Sequence, residues 1–322
     1  MDVELSIIIP VYNEEDNIIP LHQELKKNLN SIGRSYEIIF VDDGSSDKSV
    51  LKMFDLFDLD PNVKIIQFKR NFGQSAAMKA GFDHAAGALI ITMDADLQND
   101  PSDIAKIIDV LESDNYDVVC GWRRFRHDPF FKKIFSRYAN KLRILLTGES
   151  IHDSGCTLRV YRRECISDLE LYGELHRYIP AILTWKGYLV GEIEINHRER
   201  AFGVTKYSWD RIMKGFLDLI VISFWQKYSF RPIHVFGGSG LLLSGLGFIL
   251  SLYLILSRVV LGTPLTDRPL FLLGLVLFII GVQFIALGII ADILLKIYYG
   301  QNERKNYLIT KIHSKESKND QP

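Results

Sequence analysis

Two carboxylates separated by one residue, Asp94 and Asp96, follow the apolar run Leu89–Met93. Residues two apart in an extended segment point to the same side, so both carboxylates should face one cleft. Like charges this close repel each other, and a divalent cation relieves the repulsion. Gln98 continues the spacing with a carbonyl oxygen, and such oxygen ligands suit Mg²⁺ or Mn²⁺. The segment therefore predicts a metal site that can hold a diphosphate.

Strands and helices alternate through the N-terminal part of the chain, where this segment lies. The apolar patterns predict strands at 5–12, 63–70, 88–96 and 116–123, and a strand followed by a turn at 36–47. They predict helices at 13–29, 74–85 and 101–113, the first with Asn13 as its N-cap. This alternation favours an α/β fold in which helices cover both faces of a parallel sheet.

Polar and small residues follow each of the first four predicted strands. The carboxyl ends of parallel strands meet at one edge of a sheet, and ligands bind beyond that edge. We therefore expect these side chains to converge on one cleft with the acidic pair. They are Pro10, Tyr12, Asn13 and Glu14 after the first strand, Asp42, Asp43, Gly44 and Ser45 after the second, and Arg70, Asn71 and Gly73 after the third.

Two uncharged runs near the C-terminus, Val235–Ser257 and Leu270–Ala291, are 23 and 22 residues long. A helix needs about 20 apolar residues to cross a bilayer core, so the runs predict a transmembrane hairpin. Buried core helices are the alternative, but they rarely remain uncharged over this length. Basic residues flank the pair of runs and are sparse between them, which places both termini in the cytoplasm by the positive-inside rule.

Residues 208–230 show a different pattern, with aromatic and aliphatic residues at helical spacing and charged residues between them. This pattern predicts one or two amphipathic helices that lie at the membrane surface. A helix packed on the preceding domain is the alternative.

The composition excludes several other classes of protein. The chain has 322 residues, with 38 Lys and Arg against 39 Asp and Glu, a formal net charge of −1. This balance excludes a polybasic nucleic-acid-binding protein and an acidic disordered chain. The three cysteines, Cys120, Cys156 and Cys165, lack the spacing of a zinc site and are expected to be buried, reduced thiols.

Four motifs resemble glycosyltransferase family 2: IIPVYNE (8–14), VDDGSSD (41–47), RNFGQSAAMKAG (70–81) and MDADLQ (93–98). With RERAFGVTKYS (198–208) and the two C-terminal runs, the chain resembles the polyprenyl-phosphate glycosyltransferases over residues 4–300. Dolichol-phosphate mannose synthase and the bacterial bactoprenol glucosyltransferases belong to that group. The resemblance implies a GT-A (Rossmann-like) domain, a nucleotide-sugar donor, a polyprenyl phosphate acceptor and a divalent metal ion, Mg²⁺ or Mn²⁺.

The resemblance also implies roles for individual residues on the donor side. Those expected to hold the base and ribose are Pro10, Tyr12, Glu14 and Asp42 or Asp43. Those expected to line the diphosphate are Asp94, Ala95 and Asp96. Asp96 and Gln98 are expected to bind the metal ion, with Asp94 close by.

On the acceptor side, the basic and aromatic segment 121–142 favours contact with an anionic lipid headgroup, although a solvated basic helix has the same pattern. The residues that match phosphate contacts of the family are Arg123, Ser136 and Arg137 in this segment, and Arg200, Thr205 and Lys206 near residue 200, where Thr205 replaces the usual serine. Asp153 and Arg159 match the charged positions of the family's DxGxxLR segment, and a structural ion pair is the alternative. With Asp96 they are the candidate catalytic residues, and Asp153 is a candidate for orienting the acceptor or acting as a base.

These patterns predict four regions: a cytoplasmic GT-A domain at 1–207, interfacial helices at 208–232, two transmembrane helices (235–257 and 270–291) within 233–296, and a cytoplasmic tail at 297–322. The predicted activity is transfer of a hexose from a UDP- or GDP-sugar to undecaprenyl or dolichyl phosphate, with inversion. The alternatives are another membrane glycosyltransferase, including a polysaccharide synthase, and a non-catalytic scaffold. The chain lacks the QxxRW motif usual in processive synthases. A homo-oligomer, dimer or tetramer, fits the glycine-rich first run, and no nucleic acid is expected as a partner.

Overall fold

The computed structural model describes residues 3–124, 144, 151–198, 224, 232–261 and 269–301. These residues belong to two compact units, Met1–Ser223 and Phe224–Pro322. The surface helices predicted at 208–232 and the tail predicted at 297–322 lie largely outside the described residues.

Within its described residues, the first unit contains a seven-stranded sheet with the strand order β3-β2-β1-β4-β6-β5-β7. The strands are β1 (Leu5–Val11), β2 (Tyr36–Asp42), β3 (Val63–Gln67), β4 (Leu89–Thr92), β5 (Val118–Trp122), β6 (Arg159–Arg162) and β7 (Val190–Glu194). Strands β1 to β4 pair in parallel, as the sequence predicted. The strand order reverses between β1 and β4, and open α/β sheets form a ligand crevice at such a point.

Strand β6 runs antiparallel to both of its neighbours, β4 and β5. Strand β5 therefore runs in the direction of β4, and β7 pairs with it in parallel. The prediction of a parallel sheet is wrong at β6. This strand begins and ends with arginine and has only Val160 and Tyr161 between them, so it lacks the apolar run that marks the other buried strands.

Helices cover both faces of the sheet, as predicted. They are α1 (Ile18–Ile32), α2 (Ser49–Leu59), α3 (Gln74–His84), α4 (Asp103–Ser113), α5 (Arg163–Ile166) and α6 (Ile179–Lys186), with a 3₁₀ turn at Leu175–Tyr178. Alternate residues of β1 enter different cores: Ile7 and Ile9 pack with α1, α2 and α4, whereas Ile8 packs with α3 and α6. The three cysteines are buried free thiols, as expected. Burial raises the pKa of Cys120 to about 12.

Two predicted boundaries are wrong, and both lie where the chain enters the cleft. Helix α1 begins at Ile18, so Asn13 is not its N-cap; the Asn13 carboxamide instead accepts a hydrogen bond from the Ser46 N–H. Strand β4 ends at Thr92 and a turn follows, so the acidic pair does not lie in an extended segment. At Asn13, a side-chain hydrogen bond to the loop after β2 replaces the N-cap hydrogen bond that the sequence pattern predicted.

The second unit contains α7 (Pro232–Leu261) and α8 (Pro269–Gln301), which pack against each other in antiparallel directions. Both helices are long and apolar enough to cross a membrane. Only 17% and 11% of their most apolar stretches are buried, whereas a core helix of a soluble protein would be mostly buried. This exposure of apolar side chains favours membrane helices over core helices.

The close approach of α7 to α8 depends on glycine at two positions of α7, Gly240 and Gly247. A Cβ added at Gly247 would lie 2.4 Å from the Phe278 nitrogen and 2.5 Å from the Gly274 carbonyl oxygen. A Cβ added at Gly245 would meet nothing within 4 Å. The two positions therefore differ in whether a side chain fits.

We expect Gly247→Ala to lower the melting temperature of the purified protein in detergent. The added methyl group must separate two helix backbones, and overpacking of this kind costs about 1–3 kcal/mol. Gly245→Ala adds the same methyl group in open space and is the matched control, with no expected loss. Equal melting temperatures for the two variants would contradict the close contact.

Candidate active site

Hydrogen bonds between loops draw the carboxyl ends of β1 and β2 together. The backbone N–H of Asn13 donates to Ser45 Oγ (3.0 Å), and the N–H of Ser46 donates to Asn13 Oδ1 (2.7 Å). The N–H of Glu15 donates to Asp47 Oδ2 (3.1 Å). The residues that the sequence placed at one edge of the sheet are therefore joined there, with Asp47 serving the turn.

Gly44 lets the loop after β2 lie against the loop after β3. Its φ is 73°, and a Cβ there would lie 2.5 Å from the Arg70 carbonyl carbon and 2.7 Å from the Asn71 nitrogen. Both the backbone conformation and the available space therefore require glycine. This contact places the residues after the third strand beside those after the second, as predicted.

The two adjacent acids after β2 have different surroundings. Both oxygens of Asp43 accept backbone N–H groups of the next loop, from Phe72 (2.6 Å) and Gly73 (3.0 Å). Desolvation raises the pKa of Asp43, and these hydrogen bonds oppose the shift. Asp42 is fully buried; its Oδ1 accepts the Ser45 N–H (3.1 Å), and its Oδ2 has no hydrogen-bond partner among the described residues. Asp42 therefore has one buried carboxylate oxygen without a partner among the described residues, whereas Asp43 shapes the loop after β3.

Asp96 lies in the turn after β4 and is 8% exposed. Its Oδ1 accepts the backbone N–H of Gln98 (3.1 Å), and the intervening Leu97 has a φ of 61°. This left-handed residue turns the chain, so Gln98 does not continue an extended series as the sequence analysis assumed. Gln98 lies next to Asp96 because the chain turns at Leu97.

Asp94 lies just before this turn, close to the negative charge of Asp96. Its Oδ1 accepts a hydrogen bond from Gln74 Nε2 (2.8 Å), at the start of α3. Burial, followed by the negative charge of Asp96, raises the pKa of Asp94 to about 6, and a hydrogen bond from the Thr157 side chain opposes the shift. The two carboxylates therefore repel each other, as their spacing predicted.

This arrangement fits a hard divalent cation. A cation beside Asp94 and Asp96 would remove the repulsion, and carboxylate and amide oxygens are suitable ligands for Mg²⁺ or Mn²⁺. The part of the chain that the structure describes contains no group of three or more His, Cys, Asp or Glu side chains able to hold a metal ion. Mg²⁺ commonly binds one or two carboxylates and completes its shell with water and substrate phosphates, so two acids suffice.

Arg123 and Asp153 form a buried, two-point ion pair near the acidic turn. Arg123 Nε donates to Asp153 Oδ2 (2.7 Å) and Nη2 donates to Oδ1 (3.0 Å), and the side chains are 11% and 8% exposed. Arg123 is close enough to Asp94 to lower the pKa of that carboxyl group. Glu192 of β7 supports the pair, because its carboxylate accepts the backbone N–H groups of His152 (3.0 Å) and Asp153 (2.9 Å).

The sequence left a structural ion pair between Asp153 and Arg159 as an alternative, but Arg159 does not pair with Asp153. It lies in β6, is 2% exposed, and donates from Nη1 to the His176 carbonyl oxygen (2.9 Å) and from Nη2 to the Ser154 carbonyl oxygen (2.6 Å). An ion pair between Asp153 and Arg159 is therefore wrong, and Asp153 pairs with Arg123 instead. The catalytic role predicted for Arg159 has no support from its buried position.

Of the remaining predicted site residues, four are among those that the structure describes and five are not. Pro10 lies within β1, Tyr12 is 38% exposed just beyond it, Glu14 accepts a hydrogen bond from Asn17 Nδ2 (2.6 Å), and Ala95 is buried beside the acidic pair. Five predicted phosphate contacts lie outside the described residues: Ser136, Arg137, Arg200, Thr205 and Lys206.

Sequence reasoning missed three residues that support the acidic turn and the ion pair. Gln74 donates to Asp94 and lies in the quoted motif RNFGQSAAMKAG, directly after Gly73. Thr157 lies in the segment that matches DxGxxLR and lowers the pKa of Asp94. Their positions inside these motifs were the available signal. Glu192 carried no such signal, because it is one acid in an ordinary edge strand.

The fold and the acidic cleft correspond to a known class of enzyme. The family model described as "Glycosyl transferase family 2" matches residues 6–169. The chain belongs to this family.

Two relatives match almost the whole chain. The dodecaprenyl-phosphate galacturonate synthase of Rhizobium johnstonii is 39% identical over 319 residues, which cover 98% of this chain and 94% of the relative. The undecaprenyl-phosphate 4-deoxy-4-formamido-L-arabinose transferase of Enterobacter sp. (strain 638) is 35% identical, covering 98% of this chain and 95% of the relative. The similarity therefore extends through both apolar helices.

A solved structure supports the fold assignment. Glucosyl-3-phosphoglycerate synthase from Mycobacterium tuberculosis, crystallised with Mn²⁺, UDP and phosphoglyceric acid, has a TM-score of 0.55 and 14% identity, covering 70% of this chain and 78% of that chain. At this identity the likeness establishes the fold alone, and it agrees with the predicted GT-A architecture.

Proposed function

We propose that this chain transfers a sugar from a nucleotide-sugar to a polyprenyl phosphate, giving a polyprenyl-phosphate-linked monosaccharide. The observation that carries the proposal is the near full-length similarity to two transferases named for polyprenyl phosphates, which includes the apolar helices. The acidic turn at the crevice of a GT-A sheet supports a nucleotide-sugar donor. Another acceptor would need a different explanation for the two apolar helices.

The chemistry needs little help from a general base. A phosphate monoester has a second pKa of about 6, so the acceptor is already anionic near pH 7. Its oxygen forms a bond to the anomeric carbon, and the bond from that carbon to the nucleotide diphosphate breaks, with the electron pair leaving on the diphosphate. A divalent ion held by Asp96, Gln98 and Asp94 would neutralise charge on the leaving diphosphate. Arg123, whose charge lowers the pKa of Asp94, would add positive charge near the diphosphate.

We infer that the catalytic unit and both termini face the cytoplasm. Five basic residues lie from residue 206 to the first uncharged run (235–257), only two lie between the two runs, and several follow the second run (270–291). Basic residues next to spans favour the cytoplasmic side. Nucleotide-sugars would then reach the catalytic unit from the cytoplasm.

A transfer assay with the purified full-length protein in detergent tests the proposal. Radiolabelled UDP-glucose, UDP-galactose, UDP-galacturonic acid, UDP-GlcNAc and GDP-mannose are offered in turn with undecaprenyl phosphate and Mg²⁺ or Mn²⁺. We expect one donor to label the organic phase and EDTA to abolish the label. Hydrolysis of a donor without labelled lipid would contradict the acceptor, and a labelled polymer would favour a polysaccharide synthase.

Asp42 and Asp43 give a contrasting pair of variants on the donor side. Asp42→Asn keeps the acceptor for the Ser45 N–H but replaces the unpaired oxygen with an amide donor. We expect the KM for the donor to rise about ten-fold or more with an unchanged melting temperature, because a buried donor on the nucleotide would lose its acceptor. Asp43→Asn should instead lower the melting temperature, since it disturbs the loop after β3. An unchanged KM in Asp42→Asn would assign the nucleotide contact to other residues.

A further inference from the structure

Two segments that are far apart in sequence act on Asp94. Gln74 Nε2, in the first turn of α3, donates to Asp94 Oδ1 (2.8 Å). The Thr157 side chain lies close enough to Asp94 to lower the pKa of its carboxyl group. Thr157 is itself fixed, because its Oγ1 accepts from Asn99 Nδ2 (3.1 Å) and its carbonyl oxygen accepts the Thr92 hydroxyl (2.7 Å). The orientation of the Asp94 carboxylate therefore depends on how α3 sits relative to the turn that carries Thr157.

A second, buried chain of contacts joins the same two segments. Ser75 follows Gln74; its Oγ lies 2.9 Å from His176 Nδ1 and accepts the His176 backbone N–H (3.1 Å). Arg159 donates to the His176 carbonyl oxygen (2.9 Å) and to the carbonyl oxygen of Ser154 (2.6 Å), in the turn that carries Thr157. Ser75, His176 and Arg159 are 1%, 6% and 2% exposed.

The Arg159 guanidinium makes this chain of contacts resistant to change. A charge buried away from water is very unfavourable unless hydrogen bonds compensate it. Its bonds to carbonyl oxygens are charge-assisted and about twice as strong as neutral ones. Its Nε has no hydrogen-bond partner among the described residues, so moving His176 or Ser154 would leave still more of the buried charge unpaired. The contacts run from Asp94 through Gln74, Ser75, His176 and Arg159 to Ser154, three residues before Thr157.

We propose that Ser75, His176 and Arg159 are positioning residues that tie α3 to the Thr157 turn and so fix the Asp94 carboxylate for cation binding. The inference rests on the proposed function only in taking Asp94 as part of the cation site. Arg159 then acts through two backbone carbonyl groups and does not touch the substrate. His176 serves as the link between α3 and β6.

Binding of Mn²⁺ to the full-length protein with saturating UDP tests this role without any acceptor or turnover. Free Mn²⁺ is measured by electron paramagnetic resonance in wild type, Ser75→Ala, His176→Leu and His176→Asn. Loss of residues that orient metal ligands typically weakens metal affinity about ten-fold to 100-fold, so we expect about a ten-fold rise in Kd for Ser75→Ala and His176→Leu. His176→Asn keeps a polar atom near the Nδ1 position and should recover most of the affinity.

The controls separate positioning from general stability. Arg177→Ala removes a surface partner of Glu174 next to His176, and Ser113→Ala removes an exposed hydroxyl at the end of α4; both should bind Mn²⁺ as wild type does. Wild-type affinity in Ser75→Ala and His176→Leu would overturn the proposal. Equal losses in His176→Leu and His176→Asn, in step with equal falls in melting temperature, would also overturn it. Wild-type protein that binds Mn²⁺ with UDP but labels no lipid would instead refute the proposed acceptor.

Discussion

Replacing Asp96 with Asn is expected to lower kcat for sugar transfer about 10³-fold or more, because the variant loses a negative charge at the cation site. The Asn side chain has the same shape, and its Oδ1 still accepts the Gln98 N–H that holds the turn. Loss of charge in a nearly buried position also removes the repulsion with Asp94, so the folded protein should be as stable as wild type or more so. Asp96→Asn should therefore lose activity without losing stability.

The measurement is transfer of labelled sugar to undecaprenyl phosphate over a range of Mn²⁺ concentrations, together with the melting temperature in detergent. Asp109→Asn, which neutralises an exposed acid on α4, is the matched control and should retain full activity. High Mn²⁺ should restore little activity to Asp96→Asn, since charge is missing on the protein side. Activity above about a tenth of wild type would remove Asp96 from the cation site.

The sequence was sufficient to place the acidic turn because the relevant pattern is local. Apolar strands that end in acids meet at one edge when they are parallel, and Asp42 and Asp94 follow that rule. The course of the chain beyond β4 could not be predicted in the same way. It depends on the left-handed conformation of Leu97, which an apolar side chain rarely adopts.

Contacts between distant segments account for the other errors. Asn13 has the composition of an N-cap, but its carboxamide bonds to a loop more than thirty residues away. Arg159 has the composition of a catalytic or ion-paired residue, but it lies in a strand and bonds to carbonyl groups. The local sequence pattern cannot predict the hydrogen-bond partners of Asn13 or Arg159, because these depend on which segments the folded sheet brings together.

The prediction of two membrane spans depends on the length and composition of two segments and not on contacts between distant ones. Length and the absence of charge predicted two spans, and the exposure of their apolar side chains agrees with that interpretation. The glycines of α7 gave a partial guide to packing: Gly247 contacts α8, but Gly245 faces open space. Which glycine makes the contact depends on the rotation of the helix, and a glycine-rich sequence does not specify that rotation.

Breaking the Arg123–Asp153 pair is expected to produce the second large loss of activity. Arg123→Ala should lower kcat about 100-fold or more, because it removes positive charge near Asp94 and leaves the Asp153 carboxylate buried without its partner. Asp153→Asn should lower kcat less, since the Arg123 charge remains, although its direction is no longer fixed at two points. Both variants are measured for kcat, KM and melting temperature.

The double variant decides what Asp153 does. If its role is to orient Arg123, Asp153→Asn in the Arg123→Ala background should cost little more, because the partner that it orients is already absent. If Asp153 acts as a base toward the acceptor, the two losses should multiply. We expect the first result, because both carboxylate oxygens already accept hydrogen bonds from Arg123 and an anionic phosphate acceptor needs no base. Arg124→Ala with Glu194→Gln is the matched control cycle, since that pair is largely exposed and should show little coupling.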